Sequence, residues 1–109
     1  MKIRTTELTG AALDYAAALF DHDHGWLRRQ LTNPNPETRA IPRASSEWYI
    51  GGPLIERERI ETYYTGPLEC WAAKCDGWLA YGPTPLIAAM RAYVVSKIGA
   101  EVDVPEELL

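Results

Sequence analysis

The run from Thr84-Pro85-Leu86-Ile87 to Lys97-Ile98-Gly99 constrains the fold more than any other stretch of this chain. Thr84 can accept a hydrogen bond from the unpaired N–H groups of a first helical turn. Pro85 suits the first helical position, and Gly99 supplies the left-handed residue that stops a helix. The spacing therefore predicts one well-bounded helix after the loop Tyr81-Gly82-Pro83. Nothing in this helix is chemically reactive, and the same holds for most of the chain, so the residues define a kind of object more sharply than an activity.

A chain of 109 residues reads as a single domain spanning 1–109, able to hide roughly two-thirds of its unfolded surface. Four Trp and six Tyr stand against one Phe. Rings with a polar tip serve half-exposed sites and interfaces as well as cores. The net charge is −4, but four of the 15 acidic groups fall in the tail from Glu101 to Glu107, leaving 11 against 11 basic groups in the first hundred residues. No face shows the clustered Lys and Arg that phosphate neutralisation needs, which argues against a nucleic-acid binder. Four Arg between Arg28 and Arg43, with only Glu37 to balance them, form one local basic segment, most simply a solvated loop.

Cys70 and Cys75 are too few and too close for a disulfide scaffold, and on a strand their odd spacing points them to opposite faces. Both read as reduced. No apolar run approaches the roughly 18 residues of a membrane span, and no signal pattern opens the chain. A cytoplasmic protein without membrane contact is expected.

Lys2 to Thr5 form a short strand or extended lead-in. Thr6 is a candidate N-cap for a helix to about Phe20, with Leu8, Ala11, Ala12, Tyr15, Ala16, Leu19 and Phe20 as its apolar stripe and Thr9, Asp14 and Ala18 outside. From Asp21 to Ser46 the periodicity is lost. Pro34, Pro36 and Pro42 allow at most a helical turn around Trp26 to Leu31, so 21–46 is expected to be a long irregular loop. Beyond Trp48, Gly51-Gly52-Pro53, Thr65-Gly66-Pro67 and Asp76-Gly77 separate four strand candidates: Leu54 to Arg59, Ile60 to Tyr64, Leu68 to Lys74 and Trp78 to Tyr81. Asp76-Gly77 is the strongest hairpin signal. The third strand is largely apolar on both faces, which suits a central strand covered on both sides. Val102 and Val104 alternate with acidic residues in an extended tail. The expected architecture is α+β: a small antiparallel sheet flanked by two helices, one on each face, ordered as helix, long loop, three or four strands, helix and tail.

Three segments carry a resemblance: Thr6 to Ala16; Gly51 to Glu58; and Gly82 to Arg91 with Val102-Asp103-Val104-Pro105. Together they resemble the small phage protein family that includes NinX, over nearly the whole chain outside 21–46. A weaker similarity is to another small phage group with a helix–sheet–helix layout. The NinX resemblance implies a phage or prophage accessory protein made in the host cytoplasm, and it carries over no catalytic residue. Tyr15 stands where the family usually has Trp, and 21–46 is particular to this chain.

Asp21-His22-Asp23-His24 offers metal-ligand chemistry, but the two imidazoles have no third ligand motif, and a polar helix end is the simpler reading. On a strand, Glu56 and Glu58 would share a face opposite Arg57 and Arg59. That is a carboxylate pair suited to acid–base work, or more simply a salt-bridged edge strand. Cys70, Cys75, Ser45, Ser46 and Ser96 lack the context of a nucleophile. The loop from Gly82 to Thr84 could hold an anion at a helix N-terminus, though it lacks a phosphate-loop pattern.

The leading expectation is a non-enzymatic module, without cofactor or metal, that binds a host or phage protein. Its surface is expected to be built on Trp48, Gly51, Gly52, Glu56, Arg57, Glu58, Gly82, Thr84 and Arg91. The alternative is a small hydrolytic or ligand-binding domain using Glu56, Glu58 and Arg91 in a pocket beside the sheet. Self-association through an exposed edge strand stays open as a third. Several Trp and Tyr exposed together would mark a partner surface.

Overall fold

The computed structural model describes residues 1–20, 29–30 and 41–109. In chain order the elements are β1 (Lys2–Arg4), a short 3₁₀ turn (Thr5–Glu7), α1 (Gly10–Ala18), α2 (Trp48–Glu58), β2 (Glu61–Thr65), β3 (Cys70–Cys75), β4 (Trp78–Gly82), α3 (Pro85–Ile98), β5 (Glu101–Asp103) and a final 3₁₀ turn (Glu106–Leu108). The fold is α+β. The reading of 21–46 as loop lies mostly outside the described residues; Arg29 and Gln30 within it are helical.

α3 forms as its sequence dictates. The Ile87 N–H donates to Thr84 Oγ1 at 3.1 Å, and Gly99, at φ 101°, donates its N–H to the Val95 carbonyl at 2.9 Å. Its buried residues lie nearly all round the helix: Leu86, Ala88, Ala89, Met90, Ala92, Tyr93, Val94 and Val95. A helix apolar on every side belongs in the interior. α3 duly takes the middle of the molecule, with β3 and β4 on one side and α1 and α2 against it as well.

The three-stranded sheet has the order β2-β3-β4, antiparallel throughout. Asp76 and Gly77 turn the β3–β4 hairpin with φ of 50° and 84°, the left-handed pair that a type I′ turn requires. The turn closes on Cys75 opposite Trp78 and sets Ala73 opposite Ala80 and Ala72 opposite Tyr81. Tyr63 lies across from Ala72 on the other side. Side chains alternate, so Ala73, Cys75 and Ala80 face α3 and enter the core, while Ala72 faces away. β1 and β5 form a separate antiparallel pair, Ile3 opposite Val102. It buries Val102 and Val104, as expected for the tail.

Three expectations are corrected. The segment Leu54 to Arg59 is not a strand but the C-terminal half of α2, which runs through Gly51-Gly52-Pro53. Ile50, Gly51, Leu54 and Ile55 make a helical stripe with Gly51 and Leu54 buried. The helix stops at Arg59, which takes φ 53° and ψ 46°. There the Ile60 N–H reaches back to the Ile55 carbonyl at 3.0 Å, a Schellman closure. The start of α1 is also displaced. Thr5 is fully buried, and its hydroxyl donates to the Gly99 carbonyl at 2.9 Å. Gly10 at φ 53° interrupts any right-handed helix running from Thr6. Asp14 and Ala18, expected outside, are buried.

The third correction concerns layers. α1 and α2 make their principal contacts with α3, not with the sheet. Among the described residues no helix covers the second face of the sheet. An α3 that is apolar all round has two sides to bury, so it draws the other described helices onto itself rather than onto the sheet.

Candidate interaction surface

The face of the sheet that no described helix covers is read directly from the register. Tyr63, Ala72 and Tyr81 lie in one row across β2, β3 and β4, with Glu61, Lys74 and Leu79 in the next. Tyr63 is 46% exposed, Leu79 42% and Tyr81 41%, whereas Ala72 is fully buried. A small residue between two large ones makes a shallow aromatic saddle. Glu61 and Lys74 balance each other's charge in the neighbouring row. Tyr64 and Trp71 meet edge-to-face at 5.5 Å on the inner side, and Trp78 stands half-exposed at the end of the hairpin.

The residues singled out from sequence fall into two groups. Trp48 and Thr84 come together with Ser45, Pro85 and Ile87 around a shallow cleft. Gly51 sits behind it, where a methyl group would run into the Ala44 carbonyl and the Leu86 side chain. Gly82 is pressed against the first turn of α3 in the same way. Gly52 is half-exposed on α2. Arg91 is a tie between segments: its Nε donates to the Leu8 carbonyl and its Nη1 to the Tyr81 carbonyl, both at 2.8 Å. Burial lowers the Arg91 pKa, though not enough to remove its charge.

The second group gathers at the end of α2. Glu58 accepts from Arg57 Nε at 3.0 Å and pairs with Lys97 Nζ at 3.2 Å. The Arg57 hydrogen bond, and Lys97 after it, hold the Glu58 carboxyl below its usual range. Arg57 also donates to the Tyr93 hydroxyl at 3.3 Å. Glu56 is exposed, and a helix turns it away from Glu58, so the same-face carboxylate pair expected of a strand is not formed.

Cys70 and Cys75 are both free. Burial pushes the Cys75 thiol up, which makes it a poor nucleophile. His22 and His24 lie outside the described residues.

One residue escaped the sequence reading. Asp14 is 6% exposed, and its Oδ1 accepts from the Ser45 N–H at 2.9 Å and the Ser45 hydroxyl at 2.6 Å. Burial raises its pKa against the opposing pull of those bonds. It borders a cavity of about 290 Å³, walled by Ala17, Ala18, Pro42, Ile50 and Leu54 and edged by Arg57. An aspartate inside an alanine-rich run was the only available signal, and it marks an expected outer face just as well.

A family model described as Bacteriophage P22, NinX matches residues 4–97. The chain belongs to this family. Membership points to a phage accessory protein, and the match covers Thr6 to Ala16, Gly51 to Glu58 and Gly82 to Arg91 but stops short of Val102 to Pro105. The matched span runs from β1 into the last turn of α3, so it takes in both the saddle and the Asp14 cavity. No curated protein matches the chain. Among the described residues no helix is long and apolar enough to cross a membrane.

Proposed function

We propose that this NinX-family chain is a non-enzymatic protein-binding module of a phage, made in the host cytoplasm, and that it docks its partner on the open face of the sheet. The observation that carries the reading is the saddle: Tyr63, Leu79 and Tyr81 stand exposed in adjacent positions on a face that no described helix covers. Rigid aromatics with a hydroxyl tip give large contact area at low entropic cost and tolerate water at the rim. The neighbouring Glu61 and Lys74 leave the face without net charge, which suits a protein surface better than a phosphate backbone.

Hydrolysis by Glu56 and Glu58 gains no support from the geometry. Glu56 faces solvent and Glu58 is neutralised by Arg57 and Lys97. The cleft between Trp48 and Thr84 is the second reading, because Trp48 is more than half exposed beside it.

The test is affinity capture from phage-infected cells with the wild-type chain, a Tyr63→Ser/Tyr81→Ser variant and a Trp48→Ala variant, each first checked for wild-type circular dichroism. Loss of a captured protein with the saddle variant alone is the expected result. Retention by the saddle variant with loss by Trp48→Ala would transfer the function to the cleft.

A further inference from the structure

We propose that β2 pairs antiparallel with β2 of a second copy of this chain, about a two-fold axis through Tyr63, joining two three-stranded sheets into one of six strands. This goes beyond the saddle reading and does not depend on it.

The hydrogen-bonding phase of the sheet follows from its hairpin. A two-residue turn closes on a hydrogen-bonded pair, here Cys75 and Trp78, and such pairs then alternate with non-bonded ones. Ala73 with Ala80 is therefore bonded, and Ala72 with Tyr81 is not. Arg91 gives an independent check, because the Tyr81 carbonyl accepts its Nη1 at 2.8 Å and so points away from β3. It follows that Ala72 and Lys74 direct their N–H and C=O groups at Tyr63 and Glu61. The backbone groups of Thr62 and Tyr64 are left pointing off the edge of β2, and no described segment outside the sheet bonds to them.

The two edges of the sheet are unequal. On β4 the Tyr81 carbonyl is already taken by Arg91, and Pro83 follows the strand directly. β2, Glu61-Thr62-Tyr63-Tyr64-Thr65, has neither Lys nor Pro, and its register with β3 runs without a bulge. Three of the devices that stop a strand edge from pairing are therefore missing, and a single charge, Glu61, is left to discourage it.

The strand is also complementary to itself. With Tyr63 on the axis, Thr62 of each copy meets Tyr64 of the other, and all outward N–H and C=O groups of both residues are satisfied in four backbone hydrogen bonds. Glu61, the one charge on the strand, lies opposite Thr65, and the two Glu61 carboxylates fall at opposite ends of the interface. An axis through Tyr64 would set Thr62 and Glu61 against the Gly66-Pro67 turn instead. Thr65 Oγ1 is buried without a hydrogen-bond partner. In this register the second copy places Glu61, a carboxylate acceptor, opposite Thr65. The two saddles then fuse, running Tyr81, Ala72, Tyr63 and back through the second copy in one row.

Sedimentation equilibrium and disulfide trapping test the pairing. The wild-type chain is expected at twice the monomer mass. Thr62→Pro, which removes an outward N–H and leaves the bonds to β3 intact, is expected to give a monomer with unchanged circular dichroism. In a Cys70→Ser background, Tyr63→Cys should cross-link to a covalent dimer under mild oxidation, because opposed residues of a non-bonded pair have Cα atoms about 4.5 Å apart, within disulfide reach. Tyr64→Cys, facing Thr62, should not. A wild-type monomer at millimolar concentration, a dimeric Thr62→Pro, or cross-linking at Tyr64→Cys in preference to Tyr63→Cys overturns the proposal. So does capture of an extended segment of another protein on β2 in place of the second copy.

Discussion

Gly82→Ala is expected to be among the most damaging single-methyl additions to this molecule, because the added Cβ would meet backbone. A Cβ at position 82 would lie 2.8 Å from the Ala88 nitrogen, 3.0 Å from Ile87 Cγ2 and 3.2 Å from Ala88 Cα. Two of these atoms are backbone in the first turn of α3, and that turn is fixed by the Thr84 cap. The clash can be relieved only by lifting α3 from β4. Over-filling a packed site costs roughly 1–3 kcal/mol. With backbone as the obstacle, the loss should lie in the upper part of that range, about 2–3 kcal/mol, lowering the Tm by about 10–15 °C. Gly66→Ala is the control: nothing lies within 4 Å of its added Cβ, so its stability should stay within about 0.5 kcal/mol of wild type. Urea and thermal melts followed by circular dichroism measure both. If Gly82→Ala also stays within about 0.5 kcal/mol, then close packing of β4 on α3 is not why a glycine is there, and a ligand-binding role for the Gly82 loop regains ground.

Two further outcomes follow from single residues. Arg59→Gly should raise stability by about 1 kcal/mol in urea melts, because it removes the penalty of a side chain in the left-handed conformation that closes α2; a destabilised variant would mean that the arginine side chain itself holds the helix end. Asp14→Asn should remove a pH-dependent burden. The folded state raises the Asp14 pKa, so this carboxyl favours folding below its unfolded pKa and withdraws that contribution as pH rises through the raised value. The asparagine oxygen still accepts both Ser45 bonds. The variant should therefore gain on the wild type as pH climbs through that window and hold a constant advantage at neutral pH. A gap that widens toward acid pH instead would contradict burial as the dominant influence on Asp14.

The parts of the fold legible in the sequence were those with local causes. The ends of α3 announce themselves through Thr84, Pro85 and Gly99, the β3–β4 turn through Asp76-Gly77, and the tail through Val102 and Val104. α2 was hidden for equally local reasons. Gly51-Gly52-Pro53 imitates a loop, but Gly51 is there because Ala44 and Leu86 press on it. The stop signal was concealed because an arginine occupies the position where glycine is usual. The alternating charges of Glu56 to Arg59 suit a strand and a helix end equally well. That no described helix covers the second face of the sheet could not be read at all, because it depends on which partner the other helices choose. The role of Arg91 was equally unreadable, since its two carbonyl acceptors are set by the tertiary arrangement and leave no mark in local sequence.

α3 separates the sheet from α1 and α2, and Arg91 fastens both sides to it through the carbonyls of Leu8 and Tyr81. The strand behind the outer tyrosines and the approach to α1 therefore share one guanidinium, and Arg91→Ala would leave the Leu8 and Tyr81 carbonyls without that donor at a single stroke.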